Sequence, residues 1–399
     1  MTGPDRGRSP AGRGSLPTLL AVIFVDLLGF SLILPLLPYY AETFGATPAV
    51  VGFLVASYAL AQLIGAPILG GLSDRYGRRP VLIVSILGSA AGFVIFGLAT
   101  SLTVLFAARI LDGLTGGNIS VAQAYVADVS PPEKRARNFG LIGAAFGLGF
   151  IIGPALGGFM SRWGYAFPAY VAAGMATLNA IAVFFFLPES VSGAHRARAH
   201  ERRGMRSPGM RHLRSADRAG GLLRVRFFFA FALITFESIF ALFSQYHLGL
   251  DAEATGYILG YAGVLIVLVQ GGGVGLLARH FSEERLIPSA IVVGVIGLLG
   301  WAMSDNVPEV LIALVPLALA GGVFRSIVNS ALSHAVAPTD VGSVLGVGAS
   351  LESVTRALGP SIGGVLLGRV GPWAPGVFGA AVLLLLLPYA IAVLRRPAP

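Results

Sequence analysis

The 399-residue chain is 55% hydrophobic and only 12% charged, about half the charged share of a soluble globular protein, which excludes that class. Its formal charge of +9 is spread over short connections and one linker. That distribution excludes nucleic acid as the partner and fits loops held on the cytoplasmic side of a membrane. With no cysteine, disulfides, thiolate metal sites and cysteine nucleophiles are excluded too.

Residues 1–16 are polar and rich in Gly, Pro and Arg, which predicts a disordered cytoplasmic tail. The first apolar run follows Arg6, Arg8 and Arg13 and has no small-residue cleavage site after it, so it is expected to stay as an anchor. Apolar runs long enough to cross a bilayer predict twelve spans, at about 17–40, 48–70, 80–99, 102–125, 138–160, 165–187, 225–247, 254–277, 286–304, 308–331, 342–367 and 375–394. Between the second and third lies Gly70-Gly71-Leu72-Ser73-Asp74-Arg75-Tyr76-Gly77-Arg78-Arg79-Pro80, read as a compact charged turn. Alternating the connections puts the tail, this turn, the 130–137 loop, the 188–224 linker and the C-terminus on one side, with nearly all the Arg. The other side holds Arg162, Arg369 and acids such as Glu42, Asp251, Glu253, Asp305 and Glu309. Both termini are therefore expected in the cytoplasm.

The linker 188–224 divides the chain into a six-span half at 17–187 and a second half at 225–399. Its Arg, Gly and Ser content cannot build a core, and its charge suits anionic lipid. His195, His200 and His212 have no metal spacing, and no metal or cofactor is expected. The halves repeat: Gly153-Pro154-Ala155-Leu156-Gly157-Gly158 recurs as Gly359-Pro360-Ser361-Ile362-Gly363-Gly364. The charged turn has a decayed counterpart at Gly275 to Glu284, with Arg279 in place of Asp74. Parallel six-span repeats about an axis along the membrane normal point to a secondary transporter.

Four motifs in order make the chain resemble the major facilitator superfamily, and within it the twelve-span drug:proton antiporters and tetracycline exporters. They are Leu28-Gly29 with Pro35 and Pro38; Gly70 with Asp74, Arg75, Gly77, Arg78 and Arg79; Arg109 with Gly113; and Gly149 through Gly158, including Gly153, Pro154 and Gly157. The resemblance implies an all-α integral membrane protein, twelve transmembrane helices in two pseudo-twofold-related six-helix halves. It implies a gate at Asp74, a kinked fifth span that seals against proton leak, and an Arg109 that assists proton transfer. A bacterial cytoplasmic-membrane monomer follows, exchanging protons for small amphipathic or cationic drugs, tetracycline-like ones included. The chain departs from the tetracycline exporters in its second half. Its ninth span has no acid before Asp305, and His280 lies after the eighth span, which counts against magnesium-tetracycline. In the first half Asp128 matches an acid of those exporters.

Charged side chains inside a span cost about 2.5–3.5 kcal/mol each, so each needs a reason. Asp26, Asp112, Glu237 and Glu352 are the acids, and Arg109, Arg325 and Arg356 the bases. Arg109 and Asp112, and Glu352 and Arg356, are spaced to pair on one helix face. Asp26 and Glu237 open their halves without such a neighbour and are the expected proton or substrate carboxylates. Asn118, Gln123, Asn179, Gln245, Gln270 and Asn329 could serve them. A same-fold metabolite symporter or facilitator is the alternative. An intramembrane enzyme is disfavoured, since Ser333 and His334 are adjacent and face different directions.

Overall fold

The computed structural model describes residues 15–130, 132–190, 211–213, 215, 217–337 and 340–396. Arg6, Arg8, Arg13, His195, His200 and the linker arginines from Arg196 to Arg206 lie outside the described residues. Among those described there is no strand, and twelve long helical segments follow one another. In the first half, α1 runs Ser15–Ile33 and on through Leu34–Leu36 and Leu37–Glu42, and α2 is Pro48–Tyr76. Then come α3 at Arg78–Gly97, α4 as Leu102–Thr115 plus Asn118–Val129, α5 at Pro132–Met160 and α6 at Phe167–Phe186. In the second half, α7 is Arg218–Glu237 plus Phe240–Tyr246, and α8 runs from Ala252 to His280 through a π-turn at Val269–Gly273. The rest are α9 at Glu283–Ala302, α10 at Val307–His334, α11 at Val341–Arg369 and α12 at Ala374–Leu394.

Ten of these are long and apolar enough to cross a membrane by length and composition. The other two have visible reasons for falling short. α4 is broken at Gly116–Gly117, and α11 is Gly- and Ser-rich and carries Glu352 and Arg356. The break in α4 is tolerated because side chains take the freed carbonyls. Gln62 donates to Gly116 at 2.8 Å and Ser85 to Thr115.

Packing repeats with an offset of six helices. α1 packs on α5 and α6, α2 on α4, and α3 on α4 and α6; α7 packs on α11 and α12, α8 on α10, and α9 on α10 and α12. Between the halves, α2 lies along α11 and α5 along α8, the same contact made twice. The helix starts repeat as well. Thr47, Ser101, Asp251 and Asn306 cap the N-termini of α2, α4, α8 and α10 with side-chain oxygens.

The charged turn is much shorter than the sequence suggests. Gly70 through Tyr76 continue α2, and the chain turns at Gly77 alone, whose φ of +109° suits glycine. At 29 residues, α2 is ~43 Å long, well beyond the ~30 Å of hydrocarbon. Its charged last turns can therefore leave the apolar layer while still helical. A second correction concerns the linker. α7 begins at Arg218, inside the expected 188–224 stretch, so Arg218, Arg224 and Arg226 are helical.

Glu189, just past α6, closes the first half at this end. Its carboxylate accepts the backbone N–H groups of Arg78 at 2.9 Å and Arg79 at 3.2 Å, which are free donors at the start of α3. Replacing it by Ala should cost about 1–2 kcal/mol, the scale of a lost N-cap. The check is thermal denaturation of the full chain in detergent, where a lowered Tm is expected.

Candidate functional site

The two halves meet at one end and part at the other. At the end away from the α2–α3 connection, Gly52 of α2 lies against the Pro360 carbonyl and Gly364 of α11. Gly256 of α8 lies in the same way against the Pro154 carbonyl and Gly158 of α5. No side chain fits at these crossings, the usual reason for glycine where membrane helices touch backbone to backbone. The remaining motif glycines face inward. Gly149, Gly153 and Gly157, four apart, pack on Leu27, Ser31 and Leu32 of α1, and Gly359 and Gly363 do the same on α7. Ser31 ties this seam by donating to the Gly149 carbonyl at 2.8 Å.

Polar groups cross between the halves at the same end. The Tyr39 hydroxyl is 2.7 Å from that of Thr255 and 3.0 and 3.2 Å from the carbonyl oxygens of Leu250 and Asp251. Gln245 donates to Glu42. Arg162 binds Glu253 with Nε at 2.6 Å and Nη2 at 2.5 Å, and Tyr257 donates to the same carboxylate at 2.8 Å. At the opposite, Arg-bearing end, Gly70 and Gly71 of α2, Gly140 and Gly143 of α5, Gly271, Gly272 and Gly275 of α8, and Gly342 and Gly346 of α11 face open space. At these positions α2, α5, α8 and α11 do not meet across the halves as they do at the glycine crossings.

The charged residues of the Gly70–Arg79 motif bind within the first half. Arg78 holds Asp74 at 2.6 Å and Asp128 at 3.0 Å and donates to Ser73. Arg79 donates to the Phe184 carbonyl, and Arg75 stacks on the ring of Tyr76.

Deeper in the first half, Asp26 is half-buried and takes a hydrogen bond from Asn118 at 2.5 Å. Asn118 opens the second piece of α4, so the carboxylate sits beside a helix N-terminus, where negative charge is favoured. The pocket at Asp26 is lined by Val22, Ile23, Leu82, Ile86, Ile119 and Ala122, all from the first half. Asn179 instead serves the Val22 carbonyl at 2.9 Å. Six residues before Asn118, in the first piece of α4, Asp112 pairs with Arg109 at 3.1 Å, their side chains only 5% and 3% exposed. The Arg109 guanidinium lies 4.3 Å from the centre of the Tyr58 ring and 5.5 Å from that of Phe30. Gly92 of α3 makes room for Asp112.

In the second half, Glu237 ends the first piece of α7 and is exposed. Arg325, Arg356 and Glu352 are within electrostatic reach of it. Glu352 has more than the expected Arg356, which is its longest contact at 3.6 Å. Arg226 is nearest at 3.0 Å and Arg325 is at 3.3 Å. Arg226 is held in turn by Asn329 at 2.7 Å and lies over Gly348, where a Cβ would strike its guanidinium. Sequence reasoning left Arg226 at the edge of the linker, although an Arg in an apolar run nine residues past the capping Asp217 was a usable sign. Glu189, Tyr39 and Thr255 carried no such local sign.

The sequence profile of the Major Facilitator Superfamily matches residues 19–347. Multidrug resistance protein 2 of Bacillus subtilis (strain 168) is 30% identical, the alignment covering 87% of each chain. Tetracycline resistance protein, class C, of Escherichia coli is 31% identical over 96% of this chain and 97% of its own. Among solved structures, a bacterial homolog of the human lysosomal transporter Spinster, inward-facing and unoccupied, superposes with a TM-score of 0.77. It is 15% identical and covers 96% of this chain and 98% of its own, a likeness of fold.

Proposed function

Since this chain belongs to the Major Facilitator Superfamily, and is therefore a multi-span membrane transporter of small molecules, we propose that it exports small amphipathic compounds in exchange for protons. The observation that carries this reading is the Asp26 site. A carboxylate is held in an apolar pocket by one amide, next to a buried Arg–Asp pair. Exchange requires a group that can accept and release a proton as the cavity changes sides, and an ionisable side chain within a span is the usual carrier. Drug and tetracycline resistance in the relatives supports export as the direction.

The protein works as a monomer in a bacterial cytoplasmic membrane, with both termini and the Arg-bearing end inside. In that orientation the cavity is open to the cytoplasm, ready to load. Alternating access then requires the glycine crossings and the polar contacts at the outer end to part while the splayed ends of α2, α5, α8 and α11 close. In that closed state Asp74 and Arg78 come into play as a gate.

Inside-out vesicles carrying a respiration-driven pH gradient test the proposal. Adding a substrate from a panel that includes tetracycline should collapse the gradient with the wild type, and the Asp26→Asn variant should leave it intact. Counterflow of a metabolite with no proton movement would instead make the chain a facilitator.

A further inference from the structure

The charges in the cavity differ between the two halves. In the first half, one guanidinium, Arg109, stands with two carboxylates, Asp26 and Asp112, and the Arg109–Asp112 pair is shut away from the cavity. In the second half three guanidinium groups, Arg226, Arg325 and Arg356, converge on Glu352, with Glu237 nearby. Arg226 is committed. It is 12% exposed, donates to Glu352 and Asn329, and fills the space over Gly348. Arg325 and Arg356 are different. Their side chains are 54% and 49% exposed, and each meets Glu352 with a single nitrogen at 3.3 Å or more. Each guanidinium has five N–H donors, so most of those on this pair are unused. Arg356 also comes within electrostatic reach of Tyr58 in the first half, which places it at the space between the halves.

We infer that Arg325 and Arg356 form a binding site for an anionic group on the transported compound, a carboxylate or an acidic enol on an amphipathic frame. This deepens the proposed function and rests on its reading of the cavity as the loading site. It departs from the sequence-based expectation of a cationic drug. Two half-exposed guanidinium groups one helix apart match the fork geometry that recognises planar anions. A cation entering the same space would meet them as repulsion. The apolar part of the compound would lie against Phe30 and Tyr58, whose rings are 4.9 Å apart in the first half. Glu237 has no ion pair within 4 Å among the described residues and lies within electrostatic reach of both Arg325 and Arg356. It therefore acts as a competitor for the arginine pair.

The test uses two dyes that share a xanthene frame, anionic fluorescein and cationic rhodamine 123. Binding to the purified full chain is measured by fluorescence polarisation. The wild type should prefer fluorescein. R325Q/R356Q should bind fluorescein about tenfold or more weakly, the scale of a lost charge-assisted hydrogen bond, with rhodamine 123 unchanged or tighter. R325K/R356K, which keeps the charge but loses the fork, should fall between the wild type and R325Q/R356Q, and E237Q should raise the affinity, so a misfolded double variant would still leave a readout. A preference for rhodamine 123, fluorescein binding indifferent to R325Q/R356Q, or binding of neither dye would overturn the inference. The vesicle assay separates the two readings. Arginine-dependent fluorescein binding without proton movement keeps the anion site and removes proton exchange. Proton movement driven by rhodamine 123 alone does the reverse.

Discussion

Replacing Asp112 by Asn should destabilise the folded protein by about 3–5 kcal/mol, the cost of leaving one member of a buried ion pair without its partner. Arg109 and Asp112 are 3% and 5% exposed and 3.1 Å apart. The remaining surroundings of Arg109 are the Tyr58 and Phe30 rings, and its Nε already lacks a partner. The rings can offset part of a desolvated cation but cannot replace a carboxylate. Removing both charges in Arg109→Gln/Asp112→Asn should recover most of the loss, because two neutral amides need far less solvation. Thermal denaturation of the four members of this cycle in detergent is the measurement. A single Asp112→Asn variant as stable as the wild type would show that water reaches the pair.

The second large effect is expected at the closed end. Cysteines replacing Arg162 and Glu253, joined by a short reducible cross-linker, should bring transport down to the level of empty vesicles and release it on reduction. Arg162 follows α5 in the first half, Glu253 starts α8 in the second, and their side chains meet bidentately. A covalent bridge there holds together the two segments that alternating access must separate. The chain has no cysteine, so any product comes from the introduced pair. The ion pair itself contributes little at rest, since the Arg162 side chain is 57% exposed and solvent screens such pairs. Arg162→Ala alone should therefore leave stability nearly unchanged, so a loss of transport after cross-linking comes from the tether. Full transport by the cross-linked protein would mean that this end never opens.

How much was legible differs from motif to motif. Gly149, Gly153 and Gly157 could be read as a close-packing face from their spacing, and α1 is found on it. That Pro154 and Gly158 face the other half could not be read, because helical spacing gives faces and not partners. Asp112 and Arg109 were legible as a pair from three-residue spacing. Glu352 was legible only in part, since two of its three arginines come from α7 and α10.

By itself, the sequence determined the class of the protein. Apolar runs of bilayer length, arginines gathered in alternate connections and a Gly-Pro segment repeated in both halves are properties of local composition, and they require a helical, twofold-repeated membrane transporter. Only the tertiary structure decided at which end the halves meet, where α2 stops, and the excess of guanidinium groups beside Glu352. The glycine crossings between the halves and the Arg226–Glu352 contact join helices more than a hundred residues apart, and Arg325 reaches Glu352 from a neighbouring helix; one backbone's approach or one charge's partner is there set by packing and leaves no periodic trace in the chain.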